Sequence, residues 1–553
     1  MTLNIQQKCI DCGNEIPFDV FQTTCPKCGC QWQEAVYDYQ NISKTFQTDL
    51  RNQFSSLWRY HELLPVEQPI PDVSLGEGGT PLFRAVNLGM MLNCPNIYIK
   101  DERQAPTSSF KDRQASVAVA ALKEAGIKEL VMASTGNAAI AYSAYAARAG
   151  IKLWAFLTSR VPSEKMREVA LYGTQVIKIT GSYDQTKQLA AEFASQRNIY
   201  LDLGARFIPC IEAMKTIAFE ISEQLTNRLG PIGDFPWRTP DWYFQAVSGG
   251  MGPLGVLKGF SELAQMGLSS PVLPKFGSIQ AAGCAPMVDA WKQNLDIAAP
   301  VFNPRTLIET LATGTPGQTY TRLRQKMLAA SGGIFESVTD EETFRTMHLL
   351  AKMEGVSVEP AAAVAVAGVI KLVRNGVIKP DEIIVINCSG HTMPIESRIL
   401  GEGWGPVDVN AMDESPEEGL LSAITHISPE RFPRIAIVDD NADARRLIRR
   451  ILQSQGEYTI YEAGDGKEAV ELITAQLPDL ILLDLMMPEL DGFAVMDILQ
   501  RKKETADIPV IVVTAKELTV AEKKRLNGHI QTLLQKGNFL SDDLENEVRS
   551  LLK

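Results

Sequence analysis

The chain has 553 residues, 45% of them hydrophobic and 22% charged, and a formal net charge of −12. That length is too great for one core and, at ~150 residues per domain, predicts three or four units of a water-soluble globular protein. The acidic balance argues against general nucleic-acid binding, which needs a basic surface, and no apolar run reaches the ~20 residues of a membrane span.

The first segment, residues 1–35, is polar and cysteine-rich. Cys9-x-x-Cys12 and Cys25-Pro-Lys-Cys28 are two CxxC knuckles, each followed by a glycine, Gly13 and Gly29. Four thiolates suit tetrahedral Zn²⁺, and a closed set of four reads as structural rather than catalytic. A unit this short cannot bury enough core alone, so the metal is expected to fold it. The start MTLNIQQKCIDCG lacks the pattern of a secretory leader, and the remaining five of the nine cysteines have no disulfide-scaffold spacing, so a cytoplasmic protein is expected.

Residues 36–75 read as a connector carrying the aromatic anchors Tyr37, Tyr39, Trp58 and Tyr60. From about 76 to 405, Ala-rich helical stretches alternate with β-branched runs: ELVMAS (129–134), KLWAFLT (152–158), QVIKIT (175–180) and EIIVINCS (382–389). That alternation predicts α/β architecture with a largely parallel sheet. Residues 406–432, with Pro, Ser and an acidic cluster, read as a linker with a helix at 416–426. A fresh β/α series starts at RIAIVDD (434–440) and runs through TIYEA, LILLDL, PVIVVTA and QTLLQK, five strands that fit a flavodoxin-like sheet over 433–553.

Several motifs between 75 and 391 gain meaning from their order. LGEGGTPLF (75–83) and IYIKDE (97–102) precede Ala-Pro-Thr-Ser-Ser-Phe-Lys111-Asp-Arg. Ser134-Thr135-Gly136-Asn137-Ala138 then opens a helix, Ser248-Gly249-Gly250-Met251-Gly252 follows WYFQAV, and Cys388-Ser389-Gly390-His391 closes a strand. A lone Lys-Asp is ordinarily a solvated helix start, and a lone glycine run is ordinarily a turn. In this order they resemble the fold-type II pyridoxal phosphate (PLP) enzymes, two-lobed and tryptophan synthase β-like, and most closely the threonine synthases, over residues ~1–405.

The resemblance implies PLP as cofactor and an amino acid as substrate. Lys111 becomes the Schiff-base lysine, whose freed amine moves protons at the substrate. Gly249, Gly250, Met251 and Gly252, with Gly255 beyond, would close on the cofactor's phosphate at a helix N-terminus. Asn137 would meet the ring's 3′-oxygen, Ser389 the pyridine nitrogen, and the turn Ser134, Thr135, Gly136 and Asn137 the substrate carboxylate. Arg113, Lys165 and Arg167 are candidates for a substrate phosphate. Threonine synthases usually carry glycine where this chain has Ser108 and Gln114. The expected reaction is O-phosphohomoserine to threonine plus phosphate. The alternatives are a cysteate synthase-like β-replacement or dehydratase reaction, or a non-catalytic PLP-fold scaffold.

In the last unit, Asp439, Asp440 and Asp484 fall at strand ends, with Thr514 and Lys536 beyond. Clustered carboxylates need a cation, and Mg²⁺ with oxygen ligands fits. The segment 484–492, DLMMPELDG, completes a resemblance to response-regulator receiver domains. It implies phosphorylation of Asp484, Mg²⁺ held by Asp439, Asp440, Asp484 and Met486, and Thr514 and Lys536 as the residues that sense the phosphoryl group. A histidine kinase or phosphotransfer protein is the implied partner. Gly537 stands where receivers usually have proline, and Leu533 where they have an aromatic residue. The fusion leads us to expect an enzyme tuned by phosphorylation, and both families favour a homodimer.

Overall fold

The computed structural model describes residues 5–50, 56–67, 72–391, 407–410, 432–455 and 458–514, and beyond these 516, 518–526, 530–535, 544, 547, 548 and 550–552. The helix expected at 416–426 lies outside the described residues. Three short strands open the chain: β1 (Gln6–Cys9), β2 (Glu15–Pro17) and β3 (Gln33–Val36), antiparallel with β1 in the middle.

The connector is held by Tyr37, Tyr39, Trp58 and Tyr60, each of which donates a hydrogen bond to a glutamate. Tyr37 Oη reaches Glu212 at 2.9 Å and Tyr39 Oη reaches Glu262 at 3.0 Å. Trp58 Nε1 reaches Glu77 at 2.5 Å, and Tyr60 Oη reaches Glu223 at 3.1 Å. Large apolar bodies with a polar tip can be buried only where that tip is satisfied. The acceptors Glu212 and Glu262 are themselves neutralised by Lys215 and Lys258.

Two sheets form the catalytic part. Its strands in chain order are β4 (Leu82–Arg84), β5 (Ile97–Asp101), β6 (Glu129–Ser134), β7 (Lys152–Thr158), β8 (Gln175–Thr180), β9 (Tyr200–Leu201), β10 (Trp242–Ala246), β11 (Lys275–Ala281), β12 (Gly333–Val338), β13 (Ile384–Cys388) and β14 (Val407–Asn410). One sheet has the order β12-β11-β10-β13-β5-β4, parallel except for β4. The other has the order β14-β8-β7-β6-β9 and is parallel throughout. β5, β10 and β13 are buried along their whole length, as strands covered on both faces must be. β14 lies in the segment read as a linker, yet pairs with β8 from Val407↔Ile177 to Asn410↔Thr180.

The helices are terminated by local chemistry. Ser182 with Gln185 and Thr339 with Glu342 form capping boxes. The helix Met251–Gln265 packs on the helix Ile208–Leu229 through glycines. A Cβ at Gly255 would stand 2.5 Å from the Ile211 carbonyl oxygen, and one at Gly259 would stand 2.5 Å from that of Lys215.

The last unit carries β15 (Arg434–Val438), β16 (Thr459–Ala463), β17 (Leu480–Leu483), β18 (Val510–Thr514) and β19 (Thr532–Gln535), all parallel in the order β16-β15-β17-β18-β19. This is the flavodoxin-like order expected from the sequence.

Candidate active site and its surroundings

Parallel strands deliver their C-terminal ends to one edge. In the catalytic part the ends of β6, β10 and β13 meet the start of the helix Lys111–Glu124 around a cavity of about 860 Å³. Lys111, Gln114, Ser134, Thr135, Asn137, Ser248–Gly252, Glu359 and Ser389 line it. Lys111 and Ser389 are laced together by backbone. Phe110 N donates to Ser389 O at 3.0 Å, and His391 N donates to Ser108 O at 2.9 Å. Burial pushes the Lys111 amine down to about 8, against the opposing pull of Cys210, Asp202 and Glu359.

The turn after β6 is shaped by Ser134 and Gly136. Ser134 Oγ accepts from Gly136 N at 3.1 Å and Ala139 N at 3.2 Å, and so starts the helix Asn137–Ala149. Gly136 has φ +138°, and a Cβ there would stand 3.2 Å from Lys165 Cδ. Asn137 is committed at both ends of its amide: Nδ2 donates to Glu359 at 2.8 Å, and Lys165 Nζ donates to Oδ1 at 2.6 Å. Lys165 also donates to Glu359 at 3.2 Å. Sequence reasoning missed Glu359, which lies 222 residues from Asn137 and carries no motif.

Three expectations change. The helix after β10 begins at Met251, so Gly252 and Gly255 lie inside it, and Gly255 serves helix packing rather than the loop. Arg113 points away from the cavity, its side chain wholly buried against Glu102 at 2.8 Å and Glu220 at 2.6 Å, and it cannot receive a substrate phosphate. Arg167 does not line the cavity, whereas Lys187 and Arg206 do. Ser108 keeps φ +60°, the left-handed conformation for which glycine is the ordinary choice.

The cysteine unit also reaches this cavity. Asp11, Gly29, Cys30, Gln31 and Trp32 form part of its wall. Arg322 pairs with Asp11, and Lys326 with Glu34. The Sγ atoms of Cys9, Cys12, Cys25 and Cys28 all lie within 4.8 Å of one another, Cys9–Cys28 at 3.5 Å and Cys12–Cys25 at 3.6 Å. A tetrahedron of ~2.3 Å Zn–S bonds has edges of about 3.8 Å, so the set fits zinc. Burial raises the Cys9 thiol, but the N–H groups of Cys12 and Asp11 outweigh it and bring it down to about 6. At Cys28 the Cys30 N–H acts downward, yet the neighbouring cysteines and burial push it up to about 12. Four thiolates this close together would repel one another unless a cation stood between them.

In the last unit, Asp439 and Asp484 follow the ends of the paired strands β15 and β17, and with Asp440 their oxygens lie within 4.8 Å of one another. Asp439 and Asp484 are buried and Asp440 is exposed. Met486 N donates to Asp484 Oδ1 at 3.1 Å, while the Met486 side chain is 54% exposed. Thr514 ends β18, buried, with Lys516 N donating to its Oγ1 at 3.3 Å. Gly492 lets the loop close, since a Cβ there would stand 2.3 Å from the Asp484 carbonyl oxygen. Lys536 lies outside the described residues.

Comparison with known proteins accords with this geometry. Residues 73–390 match the family described as pyridoxal-phosphate dependent enzymes. The chain belongs to that family. It is 37% identical over 405 residues to the threonine synthase of Methanocaldococcus jannaschii, spanning 73% of this chain and 96% of that protein. It is 36% identical over 415 residues to the threonine synthase of Methanosarcina acetivorans, spanning 75% and 98%. Diaminopropionate ammonia lyase from Escherichia coli superposes with a TM-score of 0.50 at 16% identity, over 58% of this chain and 86% of that one, which shows the shared fold. Residues 435–549 match the response regulator receiver domain, so this member of the pyridoxal-phosphate dependent enzymes carries a receiver.

The residues present fit pyridoxal phosphate. An amine depressed toward neutrality stands at the cavity, and the Ser248–Gly250 turn leads into a helix N-terminus that favours an anion. No atom lies within 4 Å of where a Cβ at Gly249 would be. Among the described residues no helix is long and apolar enough to cross a membrane.

Proposed function

We propose that the chain converts O-phosphohomoserine to threonine and phosphate, and that phosphorylation of Asp484 tunes this activity. The observation that carries the reading is the Lys111 amine, brought down to about 8 by burial at the 860 Å³ cavity. The named activity of relatives that this chain covers nearly end to end supports it. Bound pyridoxal phosphate would supply an electron sink for the charge left at the substrate's Cα. Lys111 would hold the cofactor. Its amine, once released, would take protons from Cα and Cβ as phosphate leaves Cγ, would return protons to Cγ and Cα, and would help water add at Cβ.

The Ser248–Gly252 segment would receive the cofactor's phosphate, Ser389 its ring nitrogen and Asn137, through the Nδ2 hydrogen not given to Glu359, its 3′-oxygen. A hydroxyl at Ser389 limits protonation of the ring, which favours elimination and replacement. The N–H groups of the Ser134–Asn137 turn would hold the substrate carboxylate. Lys187 and Arg206 replace Arg113 as the cations offered to the substrate's phosphate. Zn²⁺ on Cys9, Cys12, Cys25 and Cys28 would be structural, and Mg²⁺ would sit among Asp439, Asp440, Asp484 and the Met486 carbonyl. Thr514 and Lys536 would sense the phosphoryl group, supplied by a histidine kinase or phosphotransfer protein. The domain limits would be 1–35, 36–405 extended through β14, and 433–553, in a cytoplasmic homodimer.

The test is to incubate the purified chain and pyridoxal phosphate with O-phosphohomoserine and to follow phosphate and threonine together. Both are expected, and both are lost in Lys111→Ala. If neither appears, the reading fails. Gln114 beside Lys111 would then favour another amino acid undergoing β-replacement or dehydration, to be found by a spectral screen of amino acids.

A further inference from the structure

Gln114 stands where threonine synthases usually carry glycine, and its side chain touches the amine on which the reaction depends. Three residues beyond Lys111 in the same helix, it shares that residue's face, is 3% exposed and lines the cavity. Lys111 Nζ donates to Gln114 Oε1 at 3.5 Å, and Gln114 Nε2 donates to Tyr142 Oη at 3.3 Å. Tyr142 Oη donates to Asp202 Oδ1 at 3.1 Å, with Cys210 Sγ also 3.3 Å away. Tyr142 is fully buried, and Asp202 faces the cavity. Every donor in this chain points the same way, from the lysine's amine to a carboxylate, so each bond polarises the next.

We propose that Gln114 is a positioning residue for Lys111, its amide fixed by Tyr142 and Asp202 so that it receives the amine whenever that amine is not attached to the cofactor. The proposal rests on the reading of Lys111 as the lysine that carries the cofactor. A lysine stem is flexible, with several rotatable bonds to hold still, and a glycine at position 114 would leave the released amine without this acceptor. A neutral acceptor suits an amine that must be charged at one moment and neutral at the next. A glutamate would hold it charged. Cys210, Asp202 and Glu359 act on the Lys111 amine electrostatically, the Phe110 ring lies 4.4 Å from it, and Gln114 offers it an uncharged hydrogen-bond acceptor.

The test uses the full-length chain with Gln114→Met, which keeps the volume and removes the acceptor, and Gln114→Glu, which adds a charge. After the cofactor is stripped, Lys111 is labelled with acetic anhydride across a pH series and quantified by mass spectrometry. The midpoint is expected to fall in Gln114→Met by roughly half a pH unit to one unit, the worth of one hydrogen bond to a neutral acceptor, and to rise in Gln114→Glu. An unmoved midpoint in both variants overturns the proposal. In the reconstituted enzyme Gln114→Met is expected to lower kcat about tenfold with KM nearly unchanged, as misplacement of a reacting group does. A raised KM with unchanged kcat would make Gln114 a wall of the substrate pocket and overturn the proposal. Tyr142→Phe cuts the next link and must move the labelling midpoint in the same direction as Gln114→Met, including where that variant fails to rebind cofactor. The labelling needs no substrate, so it stands even if no threonine forms.

Discussion

Arg113 and Lys111 lie two residues apart in one helix and are put to opposite uses. Lys111 faces the cavity, while Arg113 enters a buried network with Glu102, Glu220, Thr80 and Thr216, in which Lys100 also pairs with Glu220. Burial alone would raise the Glu220 carboxyl, but the charges of Arg113 and Lys100 outweigh it and hold it well below the usual carboxylate range. A carboxyl depressed in the fold contributes stability above its unfolded value near 4.5, and that contribution is lost as pH falls below it. Glu220→Gln is therefore expected to cost about 3 kcal/mol at pH 7, because it leaves buried cations short of a partner. The gap from the parent, read from urea midpoints, should narrow below pH 4.5. At this scale the sequence was legible where a residue sits in a motif, as Lys111 does. It was not legible where the partner is distant: Arg113 meets Glu220 across 107 residues, and Asn137 meets Glu359 across 222.

Among elements, the strands were the easiest to foresee. The β-branched runs at 129–134, 152–158 and 175–180 are β6, β7 and β8 to the residue, because buried parallel strands need unbroken apolar stretches. β14 carried no such signal. It is a four-residue strand of alternating valine and polar residues, and only its pairing with β8 gives it away. The helix at Met251 was placed late because Gly252 and Gly255 read as loop, whereas Gly255 serves close packing on the helix Ile208–Leu229. The gathering of the four cysteines was legible from their spacing, but the ribbon's part in the cavity wall was not, since that depends on where the catalytic domain folds around it. A consequence can be measured. One zinc per chain is expected by elemental analysis, lost in Cys25→Ser. Removing it with a chelator should raise KM more than it lowers cofactor content, because the wall formed by Gly29–Trp32 faces the cavity while Lys111 starts the helix Lys111–Glu124 and the Ser248–Gly250 turn follows β10, both outside the ribbon. Unchanged KM after metal loss would count against this.

At the scale of the molecule, an amino-acid enzyme and a receiver share one chain. Regulation requires that the phosphorylated receiver stabilise one state of the enzyme over another. Beryllofluoride with Mg²⁺ is expected to change kcat/KM about fivefold or more, the lower end of ordinary coupling energies, or to change the oligomeric state on a sizing column, with both effects absent in Asp484→Ala. No change in either would leave the receiver without influence on the enzyme. The ribbon poses a different problem, one of timing. Lys326 meets Glu34 across 292 residues, and Arg322 meets Asp11 across 311. A ribosome adding roughly 5–20 residues per second exposes the ribbon about 15–60 s before those partners exist. Through that interval the ribbon has no catalytic domain to lean on and little core of its own. With zinc on its four thiolates it could wait already folded, and the domain made later would close over it. A nascent chain would then need its metal before it has an active site.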